Sequence, residues 1–490
     1  MSATCGFRPG AREIASLLAL LVLFLAGIGI AISAGNVFGY DESVYALLSR
    51  NWIAHTPASG WDVHRSPLLS IIGLVPALPG GSVEWPFRMV SALFAMGMFV
   101  ASWALARATA GAIAGVIVGL VLASSTALEI EGASFLTDIP STALLLGLTA
   151  LLWRQLAAES ISYTIVWLAP LAAASFYMRY GAVIPLAGLA IASIAVGGRK
   201  LWVARRPVLA MSALFLGLLG PHLVQATAAT GVPWGIIGRA QGAASGAGPL
   251  PLWQYLGWFP SALLGPLGAT VAVIGVGWIL ATTGFQLTRG DPDGRARLAI
   301  FVGATVLVNV AVFGTVIHAE IRYVFFPMIL LVITEAACVS RNLRWIKLPR
   351  LGRGALATLA TFVALGLVGS AVIATSQESF KRTAAFGWKR EAGFLIGERS
   401  NERGCSVVAA DVPILSWYSG CRAVGFAVGT GTSQLPTLTS VHRYVVYRAD
   451  GQLQPTRQFF EQAYLPHLRV LRTYFDPYGR VVASVYEVQP

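Results

Sequence analysis

The chain is short of charge and nearly without lysine, and it carries no nucleotide-binding or metalloprotease signature. Charged residues fill 12% of its 490 positions, against roughly 25% in soluble domains, too few to cover a water-facing surface. The string of soluble domains that the length alone would suggest is therefore excluded. No Walker motif, GxGxxG fingerprint, HExxH pair, long repeat or low-complexity tract occurs. Arginine outnumbers lysine 31 to 4, which points to a GC-rich bacterial genome. What is abundant is apolar: 56% hydrophobic residues and a mean hydropathy of +0.68. That is the composition of a membrane protein. Its net charge of +13 then matters through placement, and does not imply a nucleic acid partner.

A hydrocarbon core of about 30 Å needs about 20 helical residues, so apolar runs of that order are candidate spans. Eleven occur: about 14–34, 86–106, 109–127, 139–157, 161–178, 181–197, 209–228, 258–283, 298–317, 323–340 and 354–375. Only Met178-Arg179-Tyr180 divides the fifth from the sixth. The first is too long for a signal-peptide core and lacks a small-x-small cleavage site, so it reads as an anchor. With the N-terminus inside, inner segments hold 16 Lys and Arg and outer loops hold six. The positive-inside rule thus predicts a multi-pass protein of the cell (inner or plasma) membrane, with a cytoplasmic N-terminus and the tail outside.

Acidic residues show the opposite bias: Asp41, Glu42, Asp62, Glu84, Glu129, Glu131, Asp138 and Glu320 fall in outer loops or at outer span ends. Acids contribute little to insertion, so their clustering suggests a polar site at the membrane boundary. The predicted fold is accordingly an α-helical polytopic domain of about 11 spans over 1–375, followed by a small extracytoplasmic α/β domain over 376–490. That tail alternates charged helical stretches, Phe380–Glu398 and Pro455–Leu465, with β-branched runs at 406–410, 444–447 and 481–486. Cys405 and Cys421 lie in it, as a disulfide if the tail is outside or else as two buried thiols.

The first outer loop opens with Asp41 and Glu42 directly after the first span. Either carboxylate suits a general base; the structural alternative is a pair of helix caps. His64-Arg65-Ser66-Pro67 comes next, before an apolar run, Leu68 to Leu78, too short to span and read as an interfacial helix. Arg65 would sit at phosphate depth there, or simply snorkel. Thr137-Asp138-Ile139-Pro140 opens the fourth span, with Asp138 placed as an N-cap, a role compatible with ligand contact. Arg179 sits between two spans, where a cavity or headgroups must receive it. The stretch 229–257, with Trp234, Arg239, Trp253 and Tyr255, reads as an outer loop with an aromatic belt. His318, Glu320, Arg322 and Tyr323 together open the tenth span.

These residues resemble the polyprenyl-phosphate-dependent glycosyltransferases of the GT-C superfamily. The Asp41-Glu42 pair, Arg65-Ser66-Pro67, Thr137-Asp138-Ile139-Pro140 and Arg322-Tyr323 are most similar to the group of protein O-mannosyltransferases and lipid A aminoarabinose transferases, glycosyltransferase family 39 and its relatives. The resemblance spans roughly 14–375 in motif order, and the tail is similar to the soluble domain of many prokaryotic members. It implies Asp41 as catalytic base, Glu42 as its companion acid and Asp138 as the acid that orients the acceptor. It also implies that Arg65 binds the lipid phosphate, in a motif that here has Ser66 for the first proline of Lys/Arg-Pro-Pro. Arg322 and Tyr323 match the family's later pair, while His64, Arg179 and His318 join the substrate-binding set by position. The implied partners are a polyprenyl-phosphate-linked sugar and a lipid, glycan or protein acceptor among membrane lipids; the arginine-rich, bacterial composition favours polyprenyl over dolichyl. Transfer would invert the anomeric centre, with no metal and no cofactor. A polytopic transporter or flippase is the rival reading, and a non-catalytic lipid-binding protein a third; transporters place polar groups near the midplane, often in repeats.

Overall fold

Lipid offers the backbone no hydrogen-bond partner, so each apolar run must satisfy its own N–H and C=O groups as a helix. A computed structural model describes residues 9–244, 258–287, 294–315, 321–345, 350–400, 404–426, 440, 442–450 and 453–489. All eleven predicted segments are helical where described. Helix α1 (Ala11–Ser33) leads by a short linker to α2 (Tyr40–Ala54), which bears the Asp41-Glu42 pair. The apolar run after Arg65 is two short helices, α3 (Leu68–Ile72) and α4 (Leu74–Ala77), divided at Gly73. Then come α5 (Trp85–Ala110), α6 (Ala112–Ala123), α7 (Thr126–Gly132) and α8 (Asp138–Ala157). Next are α9 (Leu168–Met178), α10 (Val183–Val203), α11 (Arg205–Thr230) and α12 (Gly235–Ala244). Finally α13 (Trp258–Leu287), α14 (Gly294–Thr315), α15 (Phe325–Trp345) and α16 (Arg350–Ser400) complete the bundle.

Eight helices among the described residues are long and apolar enough to cross a membrane, or nine with a bent pair. The predicted 109–127 span is that pair: α6 and α7 meet at 73° across Ser124-Ser125. Ser125 caps α7 by accepting the Leu128 N–H at 3.2 Å and donates its hydroxyl to the Leu263 carbonyl. Of the remaining predicted spans, 161–178 and 258–283 contain only shorter apolar helices, Tyr163–Met178 and Gly268–Thr282. The chain is a multi-pass membrane protein. Its centre is α15, whose spanning window is 83% buried, with α5, α6, α8, α13 and α14 around it. Small residues let helices close up: a Cβ on Gly188 of α10 would lie 3.1 Å from the Thr305 carbonyl on α14.

The tail folds as mixed α/β. Its sheet runs β2 (Arg422–Val424), β1 (Cys405–Ala409), β3 (His442–Arg448), β5 (Val481–Val488), β4 (Leu468–Phe475) in that order. Strand β1 pairs parallel with β2 and β3, and β5 antiparallel with β3 and β4. Two helices accompany it, α17 (Val412–Ser419) and α18 (Arg457–Ala463). Cys405 and Cys421 form a disulfide that ties β1 to the residue just beyond the Gly420 cap of α17. The sequence left that pairing open. No break separates membrane domain from tail, because α16 runs through residue 376 without interruption. Helix α17 packs on α2, and Ile414, Trp417 and Tyr418 join Phe38, Tyr45, Phe87 and Phe135 in one buried apolar cluster.

Candidate active site

Helix α2 starts at Gly39, whose backbone is extended, so its first turn projects Asp41 and Glu42 in different directions. The Asp41 carboxylate lies between two guanidinium groups. Arg65 Nη1 donates to Oδ1 at 2.7 Å and Arg322 Nη2 to Oδ2 at 2.9 Å. Burial disfavours the charge on Asp41, but Arg65 and Arg322 outweigh it and hold the carboxyl below the usual carboxylate range. Burial likewise opposes the Arg65 cation, and Asp41 reverses it, raising the guanidinium above its ordinary value. The Arg65 guanidinium is also 5.9 Å from the centres of both the Tyr40 and Tyr45 rings.

Arg65 is placed by its neighbours. Its N–H closes a turn onto the Asp62 carbonyl at 3.0 Å. Buried Ser66 donates its hydroxyl to the Met178 carbonyl at 2.6 Å, anchoring the loop to the end of α9. A proline at 66 has no such donor, so the serine has a positive structural reason here.

Asp138 forms the second half of the cluster. The sequence suggests it as the cap of α8, but Thr137 is the cap residue and no side-chain cap bond forms. Buried Asp138 instead receives Arg179 Nη1 on Oδ1, and its Oδ2 is 3.8 Å from Arg322 Nε. Arg179 reaches it because α9 stops at Met178 and Arg179 itself is extended before a 3-10 turn at Tyr180–Ala182. Its guanidinium sits 3.8 Å over the Tyr323 ring. Arg322 thus bridges Asp41 and Asp138. Beside them, between α8, α10, α14 and α15, lies a narrow cleft lined by Asp138, Arg179, Asn309, Phe313, Arg322 and Tyr323.

Six residues singled out from the sequence therefore converge: Asp41, Arg65, Asp138, Arg179, Arg322 and Tyr323. His64 turns aside, with Nδ1 3.5 Å from Asp62. His318 lies outside the described residues, as do Trp253 and Tyr255. Glu42 faces inward. It takes the Gly39 N–H at 2.7 Å and the Phe135 N–H at 2.8 Å, and Arg88 lies 3.5 Å away. Its side chain is 8% exposed against 29% for Asp41, so capping describes Glu42 and the open face belongs to Asp41.

Residues not singled out from the sequence complete the frame. Arg88 Nη2 donates to Asn36 O at 2.7 Å and Glu84 at 3.2 Å, and Nη1 to Ala133 O at 3.0 Å. Arg50 donates to the Ser416 and Trp417 carbonyls at 3.3 and 3.1 Å, and burial lowers its pKa to about 10. A charged residue one turn into an apolar span is the signal that points to Arg88. Among the described residues no three His, Cys, Asp or Glu side chains converge as a metal centre would.

A family model described as dolichyl-phosphate-mannose-protein mannosyltransferase matches residues 66–224. No curated protein matches the sequence. The fold is similar to the crystal structure of ArnT from Cupriavidus metallidurans bound to undecaprenyl phosphate. That match covers 96% of this chain and 97% of that one, with TM-score 0.67 and 14% identity. It is also similar to the apo oligosaccharyltransferase of Archaeoglobus fulgidus, covering 95% of this chain and 74% of that one, with TM-score 0.57 and 13% identity. The AglB structure from the same organism, in complex with an inhibitory peptide and a dolichol-phosphate, gives TM-score 0.51 at 14% identity, covering 95% and 74%. The likeness to ArnT takes in nearly the whole of both chains, so the overall fold, C-terminal domain included, is shared with these membrane proteins.

Proposed function

We propose that this chain is an integral-membrane glycosyltransferase that moves a sugar from a polyprenyl phosphate to an acceptor hydroxyl, inverting the anomeric centre. The observation that carries the reading is one carboxylate, Asp41, held between two arginines, of which Arg322 also lines the neighbouring cleft beside Asp138. Such a transfer needs a base for the acceptor proton and cations for the phosphate that leaves. An arriving phosphate competes for the N–H groups of Arg65 and Arg322, which frees an oxygen of Asp41. As the acceptor oxygen bonds to the anomeric carbon, its proton passes to Asp41 and the carbon–oxygen bond to phosphate breaks. The departing electron pair stays on the polyprenyl phosphate, where the arginines neutralise it.

Asp138, braced by Arg179, orients the acceptor, while Glu42 sets the position of α2. Tyr323, beneath Arg179, walls the donor side. The excess of basic residues on the other side supports a cytoplasmic N-terminus, with site and C-terminal domain on the outer face of the cell membrane. Sugar-loaded polyprenyl phosphates suit that face, where nucleotide sugars are not supplied.

The test compares envelope glycolipids and glycoproteins by mass analysis in cells with the gene, without it, and with Asp41→Asn. A glycan lost in both the deletion and the variant, while undecaprenyl phosphate binding persists in the variant, supports the reading. Unchanged glycans together with altered solute uptake overturn it.

A further inference from the structure

The C-terminal domain reaches the helix that carries the candidate base by a chain of polar contacts. Tyr418, near the end of α17, is 3% exposed. Its hydroxyl accepts the Phe38 N–H at 2.9 Å, three residues before Asp41, and donates to Glu84. Glu84 in turn receives Arg88 at 3.2 Å, and Arg88 lies 3.5 Å from Glu42, the neighbour of Asp41. The α1–α2 linker has further hands on it: Arg390 donates to the Gly35 carbonyl at 3.1 Å and Thr383 to the Ala34 carbonyl at 3.0 Å, both from α16. Beneath, the Trp417 ring centre sits 5.4 Å from Phe38 and 5.5 Å from Phe87. One eight-residue helix of the tail thus supplies part of the floor under α2.

We infer that Tyr418 is a positioning residue for Asp41, acting through the Phe38 amide and the Glu84–Arg88–Glu42 chain. The transfer reaction therefore requires the C-terminal domain seated on α2. The inference rests on the reading of Asp41 as general base. A domain that merely tethers or recruits acceptor has no need to hydrogen-bond the linker leading into the catalytic helix. Geometry of this kind matters, because a displacement of about 1 Å at a reacting group is worth on the order of a hundredfold in rate.

Glu84 makes the coupling visible to pH. It faces Arg88 from α5, Tyr418 from α17, Glu42 from α2 and, at 4.0 Å, Arg390 from α16. Burial lifts its pKa above the ordinary glutamate value, against the pull of Arg88 and of the Tyr418 hydroxyl. Removing that hydroxyl lifts it further, so Glu84 takes a proton, and loosens Arg88, at a higher pH than before.

The experiment uses the full chain in lipid nanodiscs, as wild type, Tyr418→Phe and Glu84→Gln. Tyr478→Phe, an exposed position of the same domain, is the control. Hydrogen exchange reads the Phe38 amide and α2. Transfer is read with radiolabelled polyprenyl-phosphate mannose and envelope membranes from the deletion strain as acceptor. Tyr418→Phe is expected to expose the Phe38 amide and lower kcat about tenfold or more. Donor KM should hold within about twofold, and the acid limb of the pH profile should move upward. Glu84→Gln should lower kcat likewise and remove that limb.

Unchanged kcat with an unmoved limb in Tyr418→Phe overturns the inference. A kcat loss that only tracks loss of folded protein, with the limb in place, also overturns it by making Tyr418 merely structural. If Asp41→Asn retains transfer, the assignment of the base fails instead. Exchange at Phe38 and α2 then decides the seating of the domain, and wild-type protection in Tyr418→Phe overturns that too.

Discussion

Asp41 and Glu42 are adjacent in sequence and live under different physics. Asp41 keeps a part-exposed side chain between two arginines that come from distant loops, at 2.7 and 2.9 Å. Glu42 is sunk beside Arg88 and Glu84, and its oxygens are taken by two backbone N–H groups. A part-exposed ion pair exchanges partners at little cost, because solvent screens what is lost. A buried one cannot, since removing one member strands a desolvated charge. The first arrangement suits a group that must release one partner to take another; the second suits a frame. Neither surrounding suits the other's task, which is why one helical turn carries both.

The sharpest way to break this contrast is to neutralise each side. Asp41→Asn should lower transfer by about 10²–10⁴-fold, the span general base catalysis supplies, with little change in melting temperature. Arg88→Met should do the reverse in stability, costing about 3–5 kcal/mol by stranding Glu42 and Glu84. Comparable thermal shifts in the two variants would erase the distinction. Next in size, reducing the Cys405–Cys421 bridge removes a 16-residue constraint, worth about 3 kcal/mol in the chain-entropy account. Because the bridge ends beside α17, non-reducing and reducing melts should differ, and transfer should fall with the reductant. Arg65→Lys and Arg322→Lys keep charge but lose fork geometry, and should weaken undecaprenyl phosphate binding about tenfold. The smallest effect is on pH. Asp41 has a depressed folded pKa, so its ion pairs stabilise the protein above the unfolded value near 3.9 and lose that contribution as pH falls through the folded one. Arg65→Gln removes a partner, raises the Asp41 pKa and moves its acid transition upward in a pH titration. Glu84, with its raised pKa, titrates at higher pH than Asp41, so the two transitions should separate.

Much of the site was legible because intramembrane polarity is costly and therefore informative. Arg65, Asp138, Arg179 and Arg322 announced themselves as charges where apolar runs begin or stop. Asp138 illustrates the limit: an acid at the first position of a helix reads as a cap, and only the fold brings Arg179 and Arg322 within reach of it. The frame was less visible. Arg88 stands out as a charge in the first turn of an apolar span, but its partners Glu42 and Glu84 come into view only in the fold. Strand β4 escaped notice because its burial alternates irregularly and Arg469 and Arg472 break its pattern. Helix α17 is short and begins with Asp411-Val412-Pro413, which reads as a turn. Its importance lies in contacts to residues more than 330 positions away, such as Tyr418 with Glu84, and periodicity cannot register those.

The unbroken α16 has a consequence in angle as well as reach. Its 51 residues, at about 1.5 Å each, form a rod on the order of 75 Å that begins among the spans and ends at Ser400, close in sequence to the start of β1 at Cys405. Each residue along it also rotates the C-terminal domain by about 100° around the rod's axis. The orientation of Trp417 and Tyr418 over α2 is therefore a matter of helical phase, set by the number of residues between the membrane and Ser400. One residue added to the rod would swing the domain sideways off α2. Four would bring it back nearly in phase, but about 6 Å too far along the axis.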